Sequence, residues 1–136
     1  MKNLKIILFG CFMVLSIFSN AQTKDKILLE LKNKLVEQVI KPDNYEVKLY
    51  YNIEEKILDI DEEGDNKNGI IIPLNKVSFK YSPAGDNHYL DIKCKINEGC
   101  MYSKTSDNIN QLGRRFPSKK TVYEIIDLIY KLKKIE

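Results

Sequence analysis

From Tyr45 to Ser103 the apolar residues recur with a period of two, and no helix-length insert breaks the pattern. That constrains the fold more than any other feature. Parallel strands need crossovers of a dozen or more residues, whereas antiparallel strands can be joined by tight turns. Tyr45, Val47, Leu49 and Tyr51 alternate with Glu46, Lys48 and Tyr50. A turn at Asn52–Glu55 leads to a strand over Lys56–Asp61 with Leu58 and Ile60 on its core side. Asp61–Asn68 has no apolar residue and is expected as an exposed loop. Gly69–Leu74 is continuously apolar, with Pro73 where a missing N–H suits a strand end or an edge. Val77, Phe79 and Tyr81 alternate with Lys76, Ser78 and Lys80, and Ser82–Asn87 is a turn built on Pro83, Gly85 and Asp86. His88, Leu90, Ile92, Cys94 and Ile96 then share a face, and Cys100–Ser103 returns as a short strand. Gly113–Phe116 adds a short edge strand.

The period is 3.6 on either side of this block. Ile27, Leu31, Leu35 and Val39, widened by Leu28 and Val36, form the apolar stripe of a helix over Lys24–Ile40, stopped by Lys41-Pro42-Asp43-Asn44. Val122, Ile125, Ile126, Ile129 and Leu132 form the apolar face of a last helix. Ser118 or Thr121 caps it, and Thr121-x-x-Glu124 has capping-box spacing. The expected class is α+β: a curved antiparallel sheet or partial barrel of about six strands with an N-terminal and a C-terminal helix.

Residues before that first helix read as an export signal. Lys2 and Lys5 precede 13 residues, Ile6–Phe18, that are apolar except for Gly10, Cys11 and Ser16; Ser19-Asn20-Ala21 supplies small residues for cleavage. The run is shorter than the ~20 residues of a membrane-spanning helix. Leu8-Phe9-Gly10-Cys11 looks like a lipoprotein signal, but the apolar run continues past the cysteine. Cleavage after Ala21 leaves 115 of the 136 residues, 22–136, as one exported domain, periplasmic or secreted. It also removes two of the 22 bases, so the mature chain is close to neutral against its 19 acids. No global field favours nucleic acid.

Cys94 and Cys100 remain after cleavage. In an oxidising compartment they are expected to form a disulfide across a hairpin turning at Asn97-Glu98-Gly99. The spacing is not the C-x-x-C of a redox centre.

A strongly curved antiparallel sheet closed by a C-terminal helix resembles the pleckstrin-homology-like barrels. The likeness is carried by Ile72–Leu132: a Pro-bearing strand, Val77-Ser78-Phe79, the Cys94–Cys100 hairpin, then Phe116 and the last helix. It implies a fold only. No basic loop matches that family's phosphoinositide site.

Within the near-neutral total the charge is polarised. Ile53–Asp65 holds seven acids (Glu54, Glu55, Asp59, Asp61, Glu62, Glu63, Asp65) against one base, Lys56, while Lys104–Glu136 holds eight bases and four acids. Asp59, Asp61, Glu63 and Gly64 match the start of an EF-hand loop, but its later positions are Lys67 and Ile70 where ligands are required. Arg114-Arg115, with Lys119 and Lys120, form a basic cluster suited to phosphate or to an acidic partner. Tyr50 and Tyr89 fall on the polar side of their strands, where tyrosine is a common contact residue. His88, the single histidine, lacks a G-x-S-x-G partner motif.

These features point to an exported, non-catalytic binding domain that needs no metal or cofactor and spans no membrane once mature. Its partner is an envelope or extracellular protein, and one form of the reading is an inhibitor or immunity-like protein. Contact residues are expected among Glu54, Glu55, Asp59, Asp61, Glu62, Glu63, Asp65, Arg114 and Arg115. Two alternatives stand beside it: a small secreted hydrolase using His88, and lipid or small-ligand binding inside the curved sheet.

Overall fold

The computed structural model describes residues 22–39, 41, 45–63, 69–103, 106 and 108–136, with Glu63 as backbone only. The export signal, the Pro42–Asn44 helix stop and the Gly64–Asn68 segment with Asp65 lie outside the described residues.

A helix over 22–35 (α1) leads into seven strands: β1 (Glu46–Asn52), β2 (Ile57–Glu63), β3 (Ile70–Pro73), β4 (Val77–Ala84), β5 (Asn87–Cys94), β6 (Tyr102–Ser103) and β7 (Gln111–Phe116). The chain ends in α2 (Lys119–Lys133). The class is α+β with both terminal helices and all-antiparallel pairing, as expected. The sheet is divided, however, into β1-β2-β3-β6 and β4-β5-β7, and it does not close into a barrel.

The division has local causes. Pro73 ends β3 and cannot extend its ladder, and a 3-10 turn over Leu74–Lys76 sends the chain into the second sheet. The Leu74 amide donates to the Lys56 carbonyl at 2.9 Å, which fixes the bend. β4 then runs to Ala84 and turns on two residues, Gly85 and Asp86, with Gly85 at φ 60. A glycine of positive φ at that position suits the mirror-image turns that match strand twist.

The Cys94–Cys100 disulfide is present, with Cα atoms 5.9 Å apart. It does not clip a hairpin. β5 ends at Cys94, and the chain returns to the first sheet, where Tyr102 pairs with Ile71 of β3. Ile96, expected to continue the buried face of β5, is therefore 72% exposed. Met101 and Ile109 exchange backbone hydrogen bonds beside the bridge, and the Cys94 amide donates to the Asn110 carbonyl. A Cβ on Gly99 would overlap the Asn108 backbone, so glycine is required at that close approach.

Both sheets bury one face against the two helices. Val47, Tyr51, Leu58, Ile60, Ile70 and Ile72 come from the first, Val77, Leu90, Ile92 and Phe116 from the second. α1 contributes Ile27, Leu31 and Leu35; α2 contributes Val122, Ile125, Leu128, Ile129 and Leu132. α1 stops five residues before the expected Ile40, because the chain peels away and the Val39 amide donates to the Arg115 carbonyl of β7. Val39 consequently leaves the apolar stripe. Ser118 caps α2, accepting from the Thr121 amide at 3.1 Å. With Ser118 as the cap, Glu124 lies too far inside the helix to close a capping box. It pairs instead with Lys34 of α1 at 2.6 Å and with Lys120 at 3.7 Å. No helix among the described residues is long and apolar enough to cross a membrane.

Candidate interaction surface

The strand register builds one row straight across the first sheet. Tyr50 stands opposite Asp59, Asp59 opposite Ile71, and Ile71 opposite Tyr102. Their neighbours Leu49, Tyr51, Leu58, Ile60, Ile70 and Ile72 point to the opposite, inner face, as the pleat dictates. The row is open: Tyr50 is 57%, Ile71 39% and Tyr102 45% exposed.

Acids surround it. Glu46 and Asp61 lie on the same outer face as Asp59, with the exposed Lys48 opposite Asp61 on that face, and Glu54 and Glu55 are exposed in the turn after β1. The Glu55 amide donates to Asn52 Oδ1 at 3.0 Å, which holds that turn. An open cleft of about 570 Å3 at this end is bordered by Tyr50, Asn52, Glu54, Glu55 and Asp59, with Lys24 of α1 at its edge. Lys56, the one base in the acidic segment, is drawn away: its Nζ donates to the Ile135 carbonyl beyond α2.

Glu62 behaves differently from the rest of its run. It points inward, is 12% exposed, and pairs with Arg114 at 3.4 Å across the gap between the sheets. Burial raises its carboxyl above the ordinary value, and the Arg114 charge and a Tyr45 hydrogen bond pull it part of the way back. Tyr45 accepts from Gln38 Nε2 at 2.7 Å. Its phenol is raised well above the ordinary range, first by burial and then by the Glu62 charge. Gln38, Tyr45, Glu62 and Arg114 thus form one inward polar cluster, and Glu62 is withdrawn from the acidic surface.

The basic cluster disperses for the same reason. Adjacent strand residues face opposite ways, so Arg114 points in while Arg115 stands on the outer face of the second sheet opposite Tyr89. Lys119 Nζ lies 5.4 Å from the Tyr81 ring centre and 5.7 Å from that of Tyr123, and Lys120 pairs with Glu124.

His88 sits at the entrance of β5 opposite Phe116. Its Nδ1 is hydrogen-bonded to the Tyr81 hydroxyl at 2.8 Å, the two rings stack, and Tyr123 packs on the far side of Tyr81. The arrangement packs the part-buried imidazole against the Tyr81 ring. The EF-hand match fails in three dimensions, because Asp59, Asp61 and Glu63 fall on β2. Alternate strand residues are about 6.5 Å apart and do not converge on one ion. Among the described residues no group of three His, Cys, Asp or Glu is placed to hold a metal. The interior cavity between the sheets, lined by Leu31, Leu58, Ile72, Leu90 and Ile129 with Glu62 and Arg114 at its polar end, measures about 20 Å3. That is room for one water, not for a lipid.

Ile71, Tyr102 and Glu46 belong to the surface and were not expected there. Glu46 carries a readable signal, the alternation of β1, whereas Ile71 sits in a continuously apolar run that marks no outer side. Tyr102 carries none, since its strand is two residues long and pairs with a strand some thirty residues earlier. Comparison with family models, with curated proteins and with solved structures finds no match for this chain.

Proposed function

We propose that the chain is exported after cleavage at Ala21 and acts as a non-catalytic binding domain. The outer face of its first sheet engages an envelope or extracellular protein of basic surface. The observation that carries this reading is the open row Tyr50–Asp59–Ile71–Tyr102 framed by Glu46, Glu54, Glu55 and Asp61. Large aromatic and aliphatic side chains in the centre of a patch supply most of the affinity, and charged residues at the rim steer the encounter and reject wrong partners. An inhibitor or immunity-like protein uses such a face to cover a basic active-site cleft.

The test is affinity capture from envelope extract with three baits. A partner that wild type retains is lost with Tyr50→Ala/Tyr102→Ala and weakened at least tenfold with Glu54→Lys/Glu55→Lys, the second loss growing as salt is lowered. These residues are exposed, so the variants fold. Retention unchanged by both pairs of substitutions overturns the proposal. The intact mass of the exported protein checks cleavage independently: it equals residues 22–136 less two hydrogens for the disulfide.

A further inference from the structure

The acidic face ends on one side at β1, and among the described residues β1 is an edge strand whose single neighbour in the sheet is β2. Among those residues four strand edges border the two sheets, and the fold treats them differently. β6 is two residues long. β7 is met by the Val39 amide at Arg115. β4 carries Pro83, which cannot donate to a further ladder; its outward Lys80 has a counterpart in Lys48 of β1. β1 is seven residues long and contains neither proline nor glycine. An edge left in that condition is a template for another strand.

Beside this edge lies a groove of about 300 Å3 between α1 and β1. Leu28, Leu29 and Lys32 form one wall, and Lys48, Leu49 and Tyr50 the other. Leu29 is 59% exposed, an unusual position for a leucine on the helix that supplies the core. A strand laid beside β1 would direct alternate side chains inward, next to Leu49 and against Leu28 and Leu29. The intervening side chains would point outward, beside Glu46, Lys48 and Tyr50 and toward Glu54 and Glu55 at the strand end.

We infer that β1 and the α1 groove receive an extended segment of the partner by strand addition. The segment carries apolar side chains at alternate positions and, among those between them, basic ones toward its two ends, where Glu46 and the Glu54–Glu55 turn lie rather than Lys48. Main-chain hydrogen bonds to β1 supply affinity, and the groove and the acidic rim supply selectivity. The inward positions match the leucine wall, and the outward positions at the two ends match Glu46 and the Glu54–Glu55 turn, with Lys48 between them. This rests on the reading of the outer face as an acidic contact surface and adds the backbone geometry by which it is engaged.

The test uses random nine-residue peptides displayed on phage, selected on the mature wild-type domain with its disulfide intact. Enriched peptides are then synthesised. The expected result has three parts: the peptides place apolar residues at alternate positions and basic residues toward their ends; they slow amide exchange in Glu46–Asn52; and N-methylation of the peptide backbone lowers affinity more than tenfold at every second residue with little effect between. Leu29→Asp lowers affinity more than tenfold, and the exposed position keeps the fold intact. A flat N-methyl profile, protection at β4 or at the disulfide crossing, or no enriched peptide overturns strand addition. So does self-association of the domain through β1, which would make a second copy the occupant. The proposed contact face fails separately: a partner whose capture survives Leu29→Asp but not Tyr102→Ala keeps the face and loses the edge.

Discussion

Opening the Cys94–Cys100 bridge tests whether the crossing between sheets depends on a covalent tie. The two cysteines are six positions apart, and Cys94 is 4% exposed while Cys100 is partly buried. Loop-closure entropy for so short a ring gives about 2 kcal/mol at 25 °C. Reduction is the cleaner perturbation, because both side chains stay in place; a double alanine variant adds the cost of a void at Cys94. For a domain of this size, 2 kcal/mol is a urea midpoint shift of about 1 M at an m-value of about 2 kcal/mol/M, and a fall in Tm of roughly 8 °C. The assay is urea unfolding followed by tyrosine fluorescence with and without dithiothreitol, thiol content being checked by mass. Noncovalent contacts hold the same crossing: the paired Met101–Ile109 bonds, the Cys94 amide on Asn110, and Gly99 against Asn108. If they suffice, the reduced and oxidised midpoints agree within about 0.2 M. That result would refute the idea that the bridge constrains the unfolded chain. An unchanged midpoint with a lowered m would show instead that the reduced denatured state is more compact.

Three further outcomes follow from single side chains. Among the described residues the buried Tyr51 hydroxyl has no hydrogen-bond partner, so Tyr51→Phe should be neutral or stabilising by up to about 1 kcal/mol in urea unfolding, and a destabilisation above about 1 kcal/mol would show that the hydroxyl is bonded. Ser118→Ala removes the α2 cap and should cost about 1 kcal/mol with m unchanged; no change would mean that the Thr121 hydroxyl, 3.0 Å from Ser118 Oγ, takes over. Glu62 holds its proton more tightly folded than unfolded, since its carboxyl is raised above 4.5. Stability from this group is therefore greatest at low pH and is lost as pH rises from about that value through the folded one. The difference in unfolding free energy between wild type and Glu62→Gln should accordingly shift toward wild type as pH is lowered from 7 toward 4.5, and a pH-independent difference would refute the inward placement.

Periodicity made the inner faces legible. Val47, Tyr51, Leu58 and Ile60 are buried because strands of this period have one way to hide their apolar atoms. Most of the last helix was legible for the same reason, but Leu128 was not. It lies to one side of the stripe Val122–Ile125–Ile129–Leu132 and is buried where α1 comes alongside, bordered by Glu30, Asn33 and Lys34. Pro73 marked a strand end, but that the next strand starts a second sheet could not be read from it. The crossing at the disulfide depends on β6 finding β3, a two-residue pairing with no local signature. Ile96 shows the consequence, a residue in perfect alternation that is exposed because its strand had already ended.

Charge runs were legible as composition and misleading as geometry. A run of acids along a strand is dealt alternately to two faces, so Asp61 goes outward and Glu62 inward. The pair Arg114-Arg115 is split in the same way, and the inward members of the two runs meet. Two opposite patches in the sequence thus become one internal ion pair and two reduced surfaces. The acidic surface nevertheless keeps its net sign, because the same folding that removes Glu62 also removes Lys56 to the end of α2. One negative and one positive charge leave together. What remains around Tyr50 and Ile71 is a frame in which Glu46, Asp61, Glu54 and Glu55 outnumber Lys48, and that frame is a product of β-alternation rather than of composition.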